Sequence, residues 1–282
     1  MTRDRVSGHF VDGGKGPLFA VRRGPQHASG CVLVLPPFAE EMNKSRRMVT
    51  LVAQQLDACG WATVLPDLHG TGDSAGDFAD ADWDGWCDDL ARVARWCAEH
   101  AGPVTGLLAI RFGCALAVDE RVSAALPALQ RVVFWQPVLD GRRLLNQFLR
   151  LRVAAAMAAG KQESASELRR RLGEGALLEV GGYELSSRLA DDLEKVSPPA
   201  RLAAAWPKTL WAEVAGGEEA ALAAPSIAAV ERYRAAGARL ETVAVPGEPF
   251  WSATEIAVNE ELVALTVRFL DDAPAGAVGL PP

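Results

Sequence analysis

Val104-Thr-Gly-Leu-Leu-Ala-Ile-Arg-Phe-Gly-Cys-Ala-Leu-Ala117 joins an apolar, strand-prone run to a segment of small, helix-compatible residues. Ala109 and Gly113 frame Arg111 with little bulk, which permits a sharp turn from strand into helix. Ala115 and Ala117 let that helix lie close to its neighbours. The apex of such a turn presents its side chain to the space beyond the strand. Here the apex is a guanidinium, which stays protonated at any accessible pH and cannot attack a carbonyl carbon.

On either side of this stretch, strand-like and helix-like patterns alternate. Leu18-Phe-Ala-Val-Arg22 reads as one strand of a short hairpin with Gly13-Gly14 in its turn region. Then come Cys31-Val-Leu-Val-Leu35, a helix over 43–59, Trp61-Ala-Thr-Val-Leu65, a helix over 82–99 and Gly106-Leu-Leu-Ala-Ile110. In the 82–99 helix Trp83, Trp86, Leu90, Val93 and Cys97 recur at helical spacing, so its tryptophans read as core. Arg131-Val-Val-Phe-Trp-Gln-Pro137 is a further strand. The next, Lys208-Thr-Leu-Trp-Ala-Glu-Val214, follows a gap too long for a simple crossover. Amphipathic patches over 142–172 and 183–195 make that gap a helical cap. A helix over 225–237, a strand over 240–245 and a helix over 255–270 complete the pattern, and the Pro/Gly-rich tail after Asp272 reads as loose. Alternation of this kind predicts an α/β chain whose mostly parallel sheet is covered by helices on both faces. The core is expected over 1–138 and 206–282, with the cap over 139–205.

The 282 residues are about half apolar (49%) and carry a formal charge of −7, which gives no electrostatic footprint for nucleic acid. Five cysteines (31, 59, 87, 97 and 114) stand singly in apolar periodic segments and are expected to be buried and reduced. No apolar run reaches the length of a membrane span and the N-terminus lacks an apolar leader core, so the chain is expected to be cytoplasmic. A small-molecule, acyl or glycolipid-type ligand is expected, in a monomer or homodimer.

Small-x-apex-x-Gly after an apolar strand resembles the nucleophile elbow of α/β-hydrolases, here without its nucleophile. In open parallel sheets ligands gather beyond the carboxyl ends of the strands, so the residues after each strand are the candidates. Pro36-Pro-Phe-Ala-Glu-Glu-Met-Asn-Lys-Ser-Arg-Arg47 stands where these folds supply an oxyanion-hole amide. Asp67-Leu-His-Gly-Thr-Gly-Asp-Ser-Ala-Gly76 brings His69 and Ser74. A triad acid would follow Val214, where Glu218 or Glu219 is available. A triad histidine would follow Val245, but the chain reads Pro246-Gly-Glu-Pro-Phe-Trp-Ser252 and no histidine follows residue 100. Ser-His-Asp hydrolysis is therefore disfavoured. The catalytic candidates are Arg111, Glu40, Glu41, His69 and Glu248, and the substrate-binding candidates are Phe38, Asn43, Ser74, Phe112, Gln136 and Trp251. Cys114 reads as packed. No cofactor is expected, and His69, Asp67 and Asp73 make too thin a set for a metal.

Pro36-Pro-Phe-Ala-Glu-Glu-Met-Asn-Lys-Ser-Arg-Arg-Met48, Asp67…Gly72-Asp-Ser-Ala-Gly-Asp-Phe78, Trp83-x-x-Trp86 and Gly247-x-Pro-Phe-Trp251 together resemble the exosortase A system-associated hydrolases, type 2. The resemblance covers most of the chain. It implies an α/β-hydrolase fold, an arginine elbow as a shared trait, and a bacterial setting of exopolysaccharide production and PEP-CTERM protein sorting. Three readings of Arg111 follow. It serves an atypical hydrolase or acyl transferase by clamping an anion or oxyanion while Glu40, Glu41, Glu248 or His69 acts as base and Ser74 is the nearby hydroxyl. It recognises an anionic, acyl or lipid-linked sugar ligand in a noncatalytic binding protein. Or it is a structural cation paired with Glu40, Glu41 or Glu248 under the cap.

Overall fold

The computed structural model describes residues 5–28, 30–203, 205–217 and 220–272. Ten strands and nine α-helices are found among them. The hairpin β1 (Val6–Gly13) and β2 (Gly16–Arg23) leads into β3 (Cys31–Leu35), α1 (Glu40–Ala58), β4 (Ala62–Pro66), α2 (Trp83–His100) and β5 (Val104–Ile110). There follow α3 (Gly113–Val118), α4 (Glu120–Ala124), β6 (Arg131–Trp135), α5 (Gly141–Ala158), α6 (Ala165–Gly173), β7 (Leu178–Val180), β8 (Tyr183–Leu185) and α7 (Ser187–Lys195). The chain then forms β9 (Lys208–Ala215), α8 (Ala224–Ala235), β10 (Leu240–Pro246) and α9 (Glu260–Asp271). The tail after Asp272 lies outside the described residues.

Eight strands form one sheet in the order β1-β2-β4-β3-β5-β6-β9-β10; β2 runs antiparallel to both its neighbours, β1 and β4, and every other neighbouring pair is parallel. The period-2 alternation of the central strands divides the core. Val32, Val34, Leu108, Ile110, Val133 and Trp135 face α1 and α9, meeting Met48, Val52, Leu56, Val263 and Val267. Leu33, Leu35, Leu107, Ala109, Val132 and Phe134 face the opposite side with Trp86, Leu90, Val93 and Cys97 of α2. Trp83 and Trp86 are buried, as their spacing predicts, and their indole N–H groups donate to Asp119 Oδ2 at 3.0 Å and to the His69 carbonyl at 3.0 Å.

Several boundaries differ from the pattern-based reading. α1 starts at Glu40 rather than 43, so the acidic pair Glu40 and Glu41 belongs to the first turn of the helix. Two carboxylates in a first turn favour that earlier start, because the free amides there carry partial positive charge. Between β6 and β9 the segment is not helical throughout: β7 and β8 pair as a small antiparallel hairpin. Its leucines, Leu144, Leu149, Leu168, Leu178, Leu189 and Leu193, are buried and continuous with the α2-side core. Cys59 is exposed at the end of α1, while the other four cysteines are buried and all five are free thiols. Periodicity placed Cys59 inside an apolar face, but the helix ends one residue before it. No helix among the described residues is long and apolar enough to cross a membrane.

Candidate functional site

Strand register decides which loops meet. Leu35 lies opposite Ala109, Ile110 opposite Trp135, Trp135 opposite Ala212, and Ala215 opposite Pro246, so the loops after β3, β5, β6, β9 and β10 open at one edge of the sheet. Three of the residues there hold a positive φ without being glycine: Ala39 (52°), Arg111 (54°) and Gln136 (44°). They are the only such residues among those described, and each costs about 1–3 kcal/mol that the surrounding structure must offset.

The elbow is held from three sides. Arg111 N–H donates to the Trp135 carbonyl at 2.8 Å, and the Arg111 carbonyl accepts from Val138 N–H at 3.1 Å. At Gly113 the approach is so close that a Cβ would sit 2.5 Å from the Leu35 carbonyl oxygen and 2.7 Å from that of Pro36. Only glycine lets α3 begin against the end of β3. Gln136 completes the frame: its N–H donates to the Ala212 carbonyl at 2.8 Å and its Oε1 accepts from Val214 N–H at 2.9 Å. The backbone N–H groups of Phe38 and Phe112 donate to no protein acceptor among the described residues.

At the apex, Arg111 Nη2 donates to Glu41 Oε1 at 2.9 Å, while Nε donates to Oε1 at 3.1 Å and Oε2 at 3.3 Å. Both shorter bonds converge on Oε1, a charge-assisted contact through one oxygen that leaves Oε2 with the longer contact alone. Weaker contacts at 3.5 Å reach the Gln136 carbonyl from Nη1 and Gln147 Oε1 from Nη2. Trp251, delivered by the loop after β10, places its ring centroid 5.0 Å from the guanidinium carbon, a cation–π contact. The two side chains are 11% and 23% exposed, so the pair stands at a wall with access to solvent. Burial pushes the Glu41 carboxyl above the usual carboxylate range, and the charge and hydrogen bonds of Arg111 offset part of that rise.

This pair forms one end of a cleft of about 320 Å³ lined by Phe38, Glu40, Glu41, Lys44, Arg111, Leu144, Gln147, Phe148, Leu151, Trp251 and Ser252. Of the sequence candidates it brings together Arg111, Glu40, Glu41, Phe38 and Trp251. It does not bring in the others. His69 is buried beneath Gly76, its backbone N–H donates to Asp89 Oδ2 at 2.8 Å and its ring Nδ1 has no partner among the described residues. Ser74 is committed to the fold, since its Oγ donates to the Asp67 carbonyl at 2.6 Å and accepts from Phe19 N–H at 2.8 Å. Asn43 is exposed and donates to the Tyr183 hydroxyl at 3.1 Å, Glu248 is exposed without an ion pair among the described residues, and Phe112 is core. Cys114 is packed, its thiol reaching the Ala109 carbonyl at 3.2 Å, and burial pushes its pKa far up. Glu218 and Glu219 lie outside the described residues.

Leu144, Gln147, Phe148 and Leu151 form an i, i+3, i+4, i+7 stripe on α5, inside the stretch the sequence reading gave to the helical cap without singling out these residues. The polar Gln147 within that stripe was the available signal. Ser252 also lines the cleft, but its Oγ donates only to the Pro249 carbonyl at 3.3 Å, with no base in contact. Glu213 is a further buried carboxylate, accepting from Trp211 Nε1 at 3.0 Å and Ala223 N–H at 2.9 Å, and ties β9 to the start of α8. No group of three or more His, Cys, Asp or Glu side chains suited to a metal ion occurs among the described residues.

Several solved structures share this architecture at low identity. Est1E from Butyrivibrio proteoclasticus, solved with ferulic acid bound, is 15% identical with a TM-score of 0.65, over 93% of this chain and 97% of its own. The esterase domain of a Rhodothermus marinus protein is 17% identical with a TM-score of 0.60, over 94% and 99%. A Xanthomonas campestris α/β serine hydrolase without a lid is 18% identical with a TM-score of 0.56, over 96% and 95%. No protein-family model and no curated protein matches the chain. The chain has the α/β-hydrolase fold, the fold of esterases and serine hydrolases.

Proposed function

We propose that this chain is an atypical hydrolase that cleaves an ester or acyl bond in an uncharged amphipathic molecule, with water in place of a side-chain nucleophile. The observation that carries the reading is the Glu41–Arg111 pair, joined through Glu41 Oε1 and set at a strained elbow inside an open, mostly apolar cleft. Glu41 Oε2 has only the long 3.3 Å contact to Nε and is the oxygen free to take a proton from water. The hydroxide adds to the carbonyl carbon, and the unpaired N–H groups of Phe38 and Phe112 receive the oxyanion. Collapse of the adduct expels the alkoxide, which recovers the proton from Glu41. An alcohol replacing water makes the same sequence an acyl transfer. Arg111 orients Glu41 and does not itself react.

The ligand class follows from charge. Glu40 and Glu41 against Lys44 and Arg111 sum to zero, so the cleft offers no net attraction to an anion, while Phe38, Leu144, Phe148, Leu151 and Trp251 suit an acyl or aryl group. Residues 139–205 act as a cap whose α5 forms one wall. The resemblance of the loop motifs to exosortase A-associated hydrolases implies a setting of exopolysaccharide production and supplies no substrate of its own; a glycolipid-type ligand is our proposal from the apolar lining of the cleft. One observation favours noncatalytic binding as the second reading: most Arg111 donors are already engaged, which makes a stable wall as readily as a working base.

With a panel of p-nitrophenyl esters and thioesters, Glu41→Gln is expected to lower kcat about 10²- to 10³-fold, the range of a lost general base. Wild-type rate should fall as pH drops through the raised Glu41 value, with no descending limb from an imidazole. Unchanged turnover in Glu41→Gln overturns the mechanism, and no turnover in any form leaves the binding reading. Fluorophosphonate probes should leave the protein unlabelled by intact mass. Stoichiometric labelling of any serine, Ser252 included, refutes the water mechanism.

A further inference from the structure

The geometry points to Phe38 as a gate that fixes the length of the acyl group accepted, by closing an inner apolar chamber off from the cleft. This inference rests on the acyl-binding reading of the cleft. Across Phe38 from the cleft lies a second, smaller pocket, itself partly open on the side of the half-buried Thr71 and otherwise lined by Pro36, Pro37, Ala39, Met42, Leu68, Phe78, Trp86, Phe112 and Leu116. Thr71 is its only polar side chain, and that hydroxyl donates to the Leu68 carbonyl at 2.8 Å. Phe38 is the one residue that lines both spaces.

The ring is held by four aromatic neighbours: Phe148 at 5.0 Å, Phe78 at 5.5 Å, Trp86 at 6.0 Å and Phe112 at 6.1 Å between centroids, all edge to face. Phe148 belongs to the outer cleft, whereas Phe78, Trp86 and Phe112 belong to the inner chamber. The ring is therefore the partition itself. With the partition closed the inner space is about 20 Å³, room for one methyl- or water-sized group. A chain entering past Arg111 consequently stops at Phe38 and must continue toward Leu151, which is 58% exposed at the open side. Removing the ring joins the chamber to the cleft and adds depth walled almost wholly by apolar atoms. Each methylene that reaches it should tighten binding up to about fourfold.

The test uses the full chain and N-methyl amides of straight-chain acids of about four to about twelve carbons, which are uncharged and resist hydrolysis. Titration calorimetry should show wild-type affinity levelling off at short length, while Phe38→Ala continues to gain and binds the long members at least tenfold more tightly. Phe38→Leu, a smaller excision that spares the fold if the alanine variant melts, should move in the same direction. Leu116→Trp in the Phe38→Ala background refills the chamber and should abolish the gain. Amides that bind wild type with the same length preference in both Phe38 variants overturn the gate and leave the acyl reading standing. Failure of every form to bind any member overturns both.

Discussion

Arg111→Ala is expected to destabilise the fold by about 2–3 kcal/mol and to move Glu41 further from ordinary carboxylate behaviour. Breaking a buried ion pair by removing one partner costs about 3–5 kcal/mol, because the remaining charge stays desolvated. The expected loss lies at or just below the lower bound of that range, since the pair borders the cleft and water can enter to solvate Glu41. Arg111→Gly should be about 1 kcal/mol more stable than Arg111→Ala, because a φ of 54° suits glycine and strains alanine. Replacing both Arg111 and Glu41 by methionine should recover much of the loss, with a coupling above about 1 kcal/mol in urea unfolding. The pH sense is fixed by the direction of the Glu41 shift. A carboxyl whose folded pKa is raised holds its proton more tightly in the native state, so stability falls as pH rises from the unfolded value to the folded one. Removing Arg111 takes away the group opposing that rise. The penalty in Arg111→Ala should therefore be smaller near about pH 4 than near about pH 8, and a pH-independent penalty would exclude Glu41 as its origin.

The second large effect belongs to Gly113. A methyl group there meets two backbone carbonyl oxygens, those of Leu35 and Pro36, which no rotamer change can relieve. Gly113→Ala must displace either α3 or the end of β3, at about 3 kcal/mol. That corresponds to a fall in Tm of about 6–12 °C. The displacement carries the Phe112 amide with it, so any ester turnover should fall along with stability. Gly173→Ala is the matched control: it closes α6, meets nothing within 4 Å and is expected to be neutral or to stabilise by about 0.5 kcal/mol. Equal melting temperatures for wild type and Gly113→Ala would mean that the elbow is not packed as described.

Much of the sheet was legible because its signals are local. The runs at 31–35 and 104–110 are apolar and short, the helix over 82–99 shows its buried stripe, and Gly113 two residues past Arg111 marks a turn before any contact is known. The site was legible only in part. Arg111, Glu41, Phe38 and Trp251 could be placed near one another because each follows a strand of one parallel sheet. His69 and Ser74 follow a strand too, yet the tight glycine turn folds them inward, onto Asp89 and Asp67. The α5 wall was missed because a stripe such as Leu144, Gln147, Phe148 and Leu151 looks the same whether it packs on a core or lines a cleft.

The order of residues alone determined an α/β scaffold whose sharpest turn carries a permanent cation. Those properties reside in backbone sterics and in a side-chain pKa too high to titrate, neither of which depends on distant partners. Which carboxylate meets that cation was decided in three dimensions, because Glu40, Glu41 and Glu248 are chemically equivalent and only the earlier start of α1 aims Glu41 at the guanidinium. The same holds for Phe38. Its role as a partition exists only where four aromatic rings from separate parts of the chain converge on it, a matter of packing between elements that no local pattern encodes.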